Sequence, residues 1–305
     1  MAAAAATKRI AAVITASSNA GAACVQRLIE LAPAGVEVRA VFRTEAKAAS
    51  LAGTPRDNVS VVTGPDASAP ESLVAAFTGA ETAVIVTPHD ASRGMADDAA
   101  LTAAMVNAAI DQGVKHIIYV GSWTVGAQDD LPALATRFAP TEALLRERAE
   151  AGAVQWTFLR SGFFFSNFAG MFGSLKAGDK LRFPAVAIPP MDPSAMGHVA
   201  AAIIADGGTK HYGKVYDVSG PELLTTAEMA AVFADALGRP ITHEDVSVDE
   251  FCAPLPPFLQ ELVAYLSAKQ ADAIPLSADV EAVTGSKPKS LREWVGENPG
   301  LFAHE

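Results

Sequence analysis

Between Ile14 and Gly21 the chain reads Thr15-Ala16-Ser17-Ser18-Asn19-Ala20-Gly21, a run of small and polar residues with clear chemical content. Set between an apolar strand and a helix, such a turn offers backbone N–H groups and short side chains to a pyrophosphate. The helix N-terminus adds partial positive charge. In the G-x-x-G-x-x-G form of a dinucleotide turn the glycine places fall on Thr15, Ser18 and Gly21, so one glycine of three is kept. Asn19 completes the candidate cradle. The same residues also make an ordinary Ser/Asn helix cap with no ligand, and the turn alone does not choose between them.

Further along, Arg43 ends the apolar run Val36–Phe42, where an acidic residue would take the adenosine ribose hydroxyls and an arginine can pair with a 2′-phosphate. That favours NADPH over NADH, although Arg43 and nearby Lys47 also suit a merely solvated surface. Asp66 in Gly64-Pro65-Asp66 is placed to face an adenine amino group, and Pro-Asp is equally an ordinary turn. Thr87 and Pro88 are expected to line the ribose and nicotinamide side, with His89 read as a surface loop residue. Gly121-Ser122-Trp123 brings a serine that would orient substrate, with Trp123 beside it. No Tyr-x-x-x-Lys pair follows, since Arg137-Phe138-Ala139-Pro140-Thr141-Glu142 stands in its place. That spacing recurs at Tyr265 and Lys269, read as a packing residue or a lid residue and a solvated charge. Gly162 permits a close backbone approach, Phe163 and Phe164 are candidates for the wall behind a nicotinamide ring, and Phe165, Asn167 and Tyr265 join Trp123 as candidate substrate contacts. A plain core would want the same phenylalanines.

These residues need a scaffold that delivers strand ends to one edge. Strand patterns near 9–15, 36–42, 58–63, 82–87, 115–121 and 156–160 alternate with helix patterns near 19–32, 44–51, 70–78, 96–112 and 141–151. Alternation of this kind predicts a doubly wound parallel α/β sheet of Rossmann type, with its ligand at the carboxyl ends of the strands. The dinucleotide-binding domain is placed at 1–162, joined by a late strand at 215–219. A smaller substrate lobe spans 163–305, with helices near 194–206, 226–237 and 259–271. Thr225–Glu228 is a capping box that opens the second of these.

Composition narrows the partners. Half of the 305 residues are hydrophobic and the formal charge is −11, so a nucleic acid or an anionic membrane is not expected and a small molecule is. Cys24 and Cys252 stand too far apart for a metal-ligand cluster or a disulfide framework, so no metal is expected and a reduced, cytoplasmic setting is. The segment MAAAAATK is too short for a signal or transit peptide, which points the same way.

Taken together, the turn at 13–21, Val41-Phe42-Arg43, Ala83–Pro88, Gly113–Val120, Thr157–Asn167, Gly220–Thr225 and Thr284–Pro288 resemble the NmrA-like family of atypical short-chain dehydrogenases/reductases across nearly the whole chain. Gly220–Thr225 and Thr284–Pro288 look like its festuclavine and agroclavine dehydrogenases, and Thr141-Glu142 like its triphenylmethane reductases. The resemblance implies a Rossmann-type fold with a small C-terminal substrate lobe and binding of NADP(H) or NAD(H). Family members often carry an acidic residue where this chain has Ala195, with Asp192 close by.

The expected function is an NADPH-dependent reductase that passes hydride to a bulky acceptor of aromatic, iminium or quinone-like kind, which needs no proton from the protein. A second reading is a non-catalytic NADP(H) sensor acting on a protein partner. A third is a cofactor-free lyase or isomerase on the same fold, suggested by Thr15 and Ser18 at glycine places.

Overall fold

A computed structural model of the protein describes residues 8–51, 58–88, 94–167, 175 and 178–302. Seven strands form the central sheet: β1 (Arg9–Val13), β2 (Val36–Phe42), β3 (Val59–Thr63), β4 (Ala80–Val86), β5 (His116–Ser122), β6 (Gln155–Ser161) and β9 (Lys214–Val218). Their order is β3-β2-β1-β4-β5-β6-β9, and the four pairings among β1 to β5 are all parallel. Chain direction across the sheet reverses between β1 and β4, the switch point beside which doubly wound sheets bind ligands. Each of the seven strands lies within two residues of the sequence expectation.

The chain divides into two compact units. The first holds Met1–Ser122, Thr136–Arg160 and Met196–Tyr216. Its helices include α1 (Asn19–Leu31), α2 (Glu45–Ala48), α3 (Val74–Phe77), α4 (Met95–Asp111) and, beyond the short α5 (Pro132–Ala135) of the second unit, α6 (Ala139–Glu150). Ser18 caps α1 by accepting from the Gly21 amide, and Cys24, Val25 and Leu28 bury one face of that helix. Gly197, in the helix Ser194–Ala205, is where that helix meets α1: a Cβ there would lie 2.4 Å from Ala20 O and from Cys24 N. Sheet and helices enclose a core that includes Val41, Phe77, Ile85, Met105, Ile117 and Phe158.

The second unit holds Trp123–Ala135, Ser161–Ala195 and Asp217–Glu305. Small strands frame it: β7 (Lys180–Arg182) pairs parallel with β11 (Thr242–Glu244), and β8 (Ala187–Ile188) pairs antiparallel with β10 (Leu224–Thr225). The capping box of Thr225 and Glu228 opens the helix Thr226–Leu237, which ends at Gly238 with φ 65°. Both ends match the sequence reading. Phe163, Phe165, Phe183, Phe233 and Trp294 lie in this unit's core. The two units therefore interleave along the chain: where the sequence placed 1–162, joined by a late strand at 215–219, apart from 163–305, residues 123–135 group with the second unit and 196–216 with the first.

Candidate functional site

Thr15 sits at φ 57°, the left-handed region in which a non-glycine residue costs about 1–2 kcal/mol. Its side chain works against that cost, because Oγ1 donates to Val86 O at 3.0 Å and ties the turn to the end of β4. Ala16 N donates to Val41 O and Ser18 N to Thr15 O, so the turn is fixed by backbone bonds as well. Gly21 is a steric requirement. A Cβ at that place would stand 2.4 Å from Thr15 O and 3.0 Å from Ala16 Cα. Glycine is therefore kept where the helix backbone crosses the turn, and replaced where a side-chain hydroxyl does other work. The first turn of α1 carries no acidic residue, so nothing offsets its partial positive charge.

Beside this turn lies a cleft of about 480 Å³ at the carboxyl ends of β1 to β4, wholly within the first unit. Thr15, Ser17 and Ser18 form one part of its lining, Arg43 and Lys47 another, and Pro65, Asp66 and Ala67 a third. Thr87 and Pro88 close it at the end of β4, and Leu101 and Met105 reach it from α4. Of the residues expected to hold a dinucleotide, Thr15, Ser18, Arg43, Asp66, Thr87 and Pro88 are thus brought together. Asn19 and Gly21 stand next to the lining on α1. Arg43 is exposed, and its guanidinium makes no ion pair or hydrogen bond among the described residues. Asp66 differs, since its Oδ1 already accepts from Ser68 N at 2.9 Å and Ser68 Oγ at 2.7 Å. Sequence reasoning missed Ser17, Leu101 and Met105 as lining; the last two are spaced as ordinary helix core positions.

Around the end of β4 the polar groups are tied down. Thr87 Oγ1 lies 2.9 Å from the hydroxyl of buried Tyr119, which desolvation raises to about 12, so this phenol stays protonated. Arg137 donates from Nη2 to Pro88 O at 3.0 Å and pairs through Nε with buried Asp98 Oδ2 at 3.0 Å. Arg160 makes a two-pronged bond to buried Glu142, at 2.9 and 2.7 Å. Ser122 ends β5, buried, and outside the cleft lining. His89 lies outside the described residues.

The remaining candidates belong to the second unit. Gly162 N donates to Val218 O at 2.8 Å, and a Cβ on Gly162 would meet that oxygen at 3.2 Å. Phe163 is 4% exposed and Phe165 has no exposed surface, its ring 5.4 Å from that of Trp294. Phe165 is thus a core ring here, and its expected contact with substrate is not what its burial provides. Phe164 is half-buried and bridges to Met191, while Asn167 is exposed. Tyr265 packs on Trp123 with ring centroids 5.7 Å apart. Lys269 lies over the Tyr265 ring at 5.8 Å and pairs with Asp130 at 3.6 Å. Asp192, close to Ala195, caps Ser194 N and pairs with Lys289.

Known proteins extend this picture. A (4-alkanoyl-5-oxo-2,5-dihydrofuran-3-yl)methyl phosphate reductase of Streptomyces griseus is 29% identical over 212 residues, covering 65% of this chain and 71% of that protein. An NAD(P)H azoreductase of Xenophilus azovorans is 27% identical over 240 residues, covering 78% and 77%. Among solved structures, triphenylmethane reductase of Citrobacter sp. complexed with NADP(H) superposes with a TM-score of 0.76 at 26% identity, covering 94% of this chain and 99% of that one. Residues 6–295 match the model of the NmrA-like family, and this chain belongs to that family.

Proposed function

We propose that this protein is an NADPH-dependent reductase that delivers hydride to a bulky, conjugated acceptor of quinone, iminium or triarylmethyl type. The observation that carries the reading is the cleft itself: a glycine-dependent turn and an uncompensated helix N-terminus at one end, and the unpaired guanidinium of Arg43 at another. A doubly charged pyrophosphate and a 2′-phosphate meet those two features. The named relatives are reductases, and two of them carry NAD(P)H or NADP(H) in their names or complexes. Thr15, Ser18 and the α1 amides would hold the pyrophosphate, Arg43 the 2′-phosphate, and Thr87 and Pro88 the ribose and nicotinamide side. The bound cofactor would supply the hydride. Ser122 would orient the acceptor.

The acceptor class follows from the groups that the described lining offers. Among the described residues no tyrosine or histidine lines the cleft, and the hydroxyl of buried Tyr119 lies outside the lining, tied to Thr87 Oγ1 at 2.9 Å. Acceptors that stabilise charge, or become neutral on gaining hydride, need no such donor. Purified protein with NADPH is therefore expected to reduce a naphthoquinone, a cyclic iminium or a triarylmethane dye with stoichiometric loss of nicotinamide absorbance, and simple ketones poorly. Tyr265→Phe should leave turnover within a few-fold, because a general acid contributes about 10²–10⁴ in rate and Lys269 is held by Asp130. Tight NADPH binding without transfer to any acceptor would favour a dinucleotide sensor. Absence of binding would defeat both readings.

A further inference from the structure

Three consecutive residues at the end of β4 are each held by a different side chain. Thr15 Oγ1 binds Val86 O, Tyr119 OH meets Thr87 Oγ1, and Arg137 Nη2 donates to Pro88 O. Pro88 has no N–H, so its carbonyl is the one backbone handle by which it can be fixed. The group that takes this handle is itself anchored in a buried place: Arg137 Nε pairs with Asp98 Oδ2, and Asp98, in the first turn of α4, is only 2% exposed. A single guanidinium thereby joins the end of β4 to the start of α4. Its separate nitrogens face the two groups, Nε the carboxylate and Nη2 the carbonyl, at a span that the fixed fork of a guanidinium sets.

From this arrangement we infer that Arg137 is a positioning residue for the dinucleotide cleft, acting through the Pro88 carbonyl and held in place by Asp98. The inference rests on the reading of the cleft as an NADPH site. Pro88 and Thr87 line that cleft and Arg137 does not, so Arg137 acts on cofactor through another residue. Removing a cation from beside the buried Asp98 carboxylate is also costly in itself, which is why the test must separate positioning from folding. Lysine at 137 keeps the charge beside Asp98 and loses the reach to Pro88.

Arg137→Lys, and separately Asp98→Asn, are expected to stay folded and to weaken NADPH binding about ten-fold, equivalent to about 1.4 kcal/mol, with kcat at saturating NADPH within two-fold. Adenosine 2′,5′-bisphosphate, which carries the Arg43 contact without the nicotinamide half, should bind both variants as it binds the wild type. The double variant should be no weaker than the weaker single one, since both changes release the same carbonyl. Unchanged NADPH affinity in either folded variant, equal loss for NADPH and the bisphosphate, or additive losses in the double variant would overturn the inference. If Arg137→Lys does not fold, Asp98→Asn decides. Wild-type protein that binds no NADPH removes the cleft reading and this one together, whereas tight wild-type binding with unaffected variants removes this one alone.

Discussion

The two edges of the sheet in the first unit treat polar groups in opposite ways. At the amino edge, where β5, β6 and β9 begin, the partners are all internal. His116 Nε2 meets Thr157 Oγ1 at 2.8 Å, and Thr157 Oγ1 donates onward to His211 O at 2.7 Å. Since that hydroxyl spends its proton on His211 O, His116 must donate from Nε2. His211 in turn sits between Tyr216 OH at 2.6 Å and Asp206 Oδ2 at 2.8 Å. At the carboxyl edge, Arg43 makes no ion pair or hydrogen bond among the described residues, and the Ser18-capped start of α1 borders a cleft. One edge spends its polar groups on the fold, while the other ties down Thr87 and Asp66 and leaves the Arg43 guanidinium exposed beside the cleft. Burial with complete pairing marks structure, and exposure of an uncompensated charge beside a cavity marks function.

Changing one glycine at each edge gives the largest expected effect. Gly21→Val drives a side chain into Thr15 O and Ala16 Cα, so the turn cannot keep its shape, and NADPH affinity should fall more than a thousand-fold, equivalent to about 4 kcal/mol. At the amino edge, Gly208 has φ 79° and a Cβ would stand 3.1 Å from His116 Nδ1. Gly208→Ala should cost about 1–2 kcal/mol of stability and leave the NADPH Kd unchanged. Calorimetric melting and cofactor titration on both variants test the contrast, which fails if Gly208→Ala weakens cofactor binding in folded protein.

Titration of His116 is next in size. Burial, with the charge of His211 adding to it, pushes this imidazole from 6.5 down to about 4. Between those values the unfolded chain binds the proton and the folded protein does not, so stability is full above about pH 6.5 and falls as pH drops toward 4. The loss amounts to about 3 kcal/mol. His116→Gln should flatten this acid limb without altering NADPH affinity at pH 7.5. An acid limb of equal depth in the variant would assign the titration to another group.

The sequence carried these two edges unequally. The strands were legible because parallel strands buried on both faces read as unbroken apolar runs such as Ala83–Val86 and Ile117–Val120. Ser18 and the box of Thr225 and Glu228 announced their helices through local chemistry, which one segment suffices to express. The cleft was legible where a residue ends a strand, as with Arg43 and Thr87. It was not where a helix leans in, since Leu101 and Met105 share their spacing with core positions. Contacts such as Arg137 to Pro88, 49 residues apart, have no local signature at all. Nor does the passage of residues 123–135 into the second unit, which depends on which core accepts Trp123 and Leu131.

Arg43 offers the smallest effect and the sharpest test of what the carboxyl edge is for. An exposed arginine with no ion pair or hydrogen bond among the described residues contributes little to the fold, so Arg43→Ala should leave the melting temperature unchanged within error. Against a 2′-phosphate the same side chain gains a charge-assisted bond, and its loss should cost NADPH about 1–3 kcal/mol, roughly five- to a hundred-fold in affinity. NADH lacks that phosphate and should bind the variant as it binds the wild type, so the preference collapses from one side only. Lys47, which lines the same cleft, keeps part of the attraction and sets the lower end of that range. Because the pair is solvent-exposed, raising salt should erode the wild-type preference and leave the variant nearly flat. Equal wild-type affinities for the two cofactors would mean that the unpaired guanidinium serves no phosphate, and the contrast between the two edges would then rest on Gly21 and the α1 turn alone.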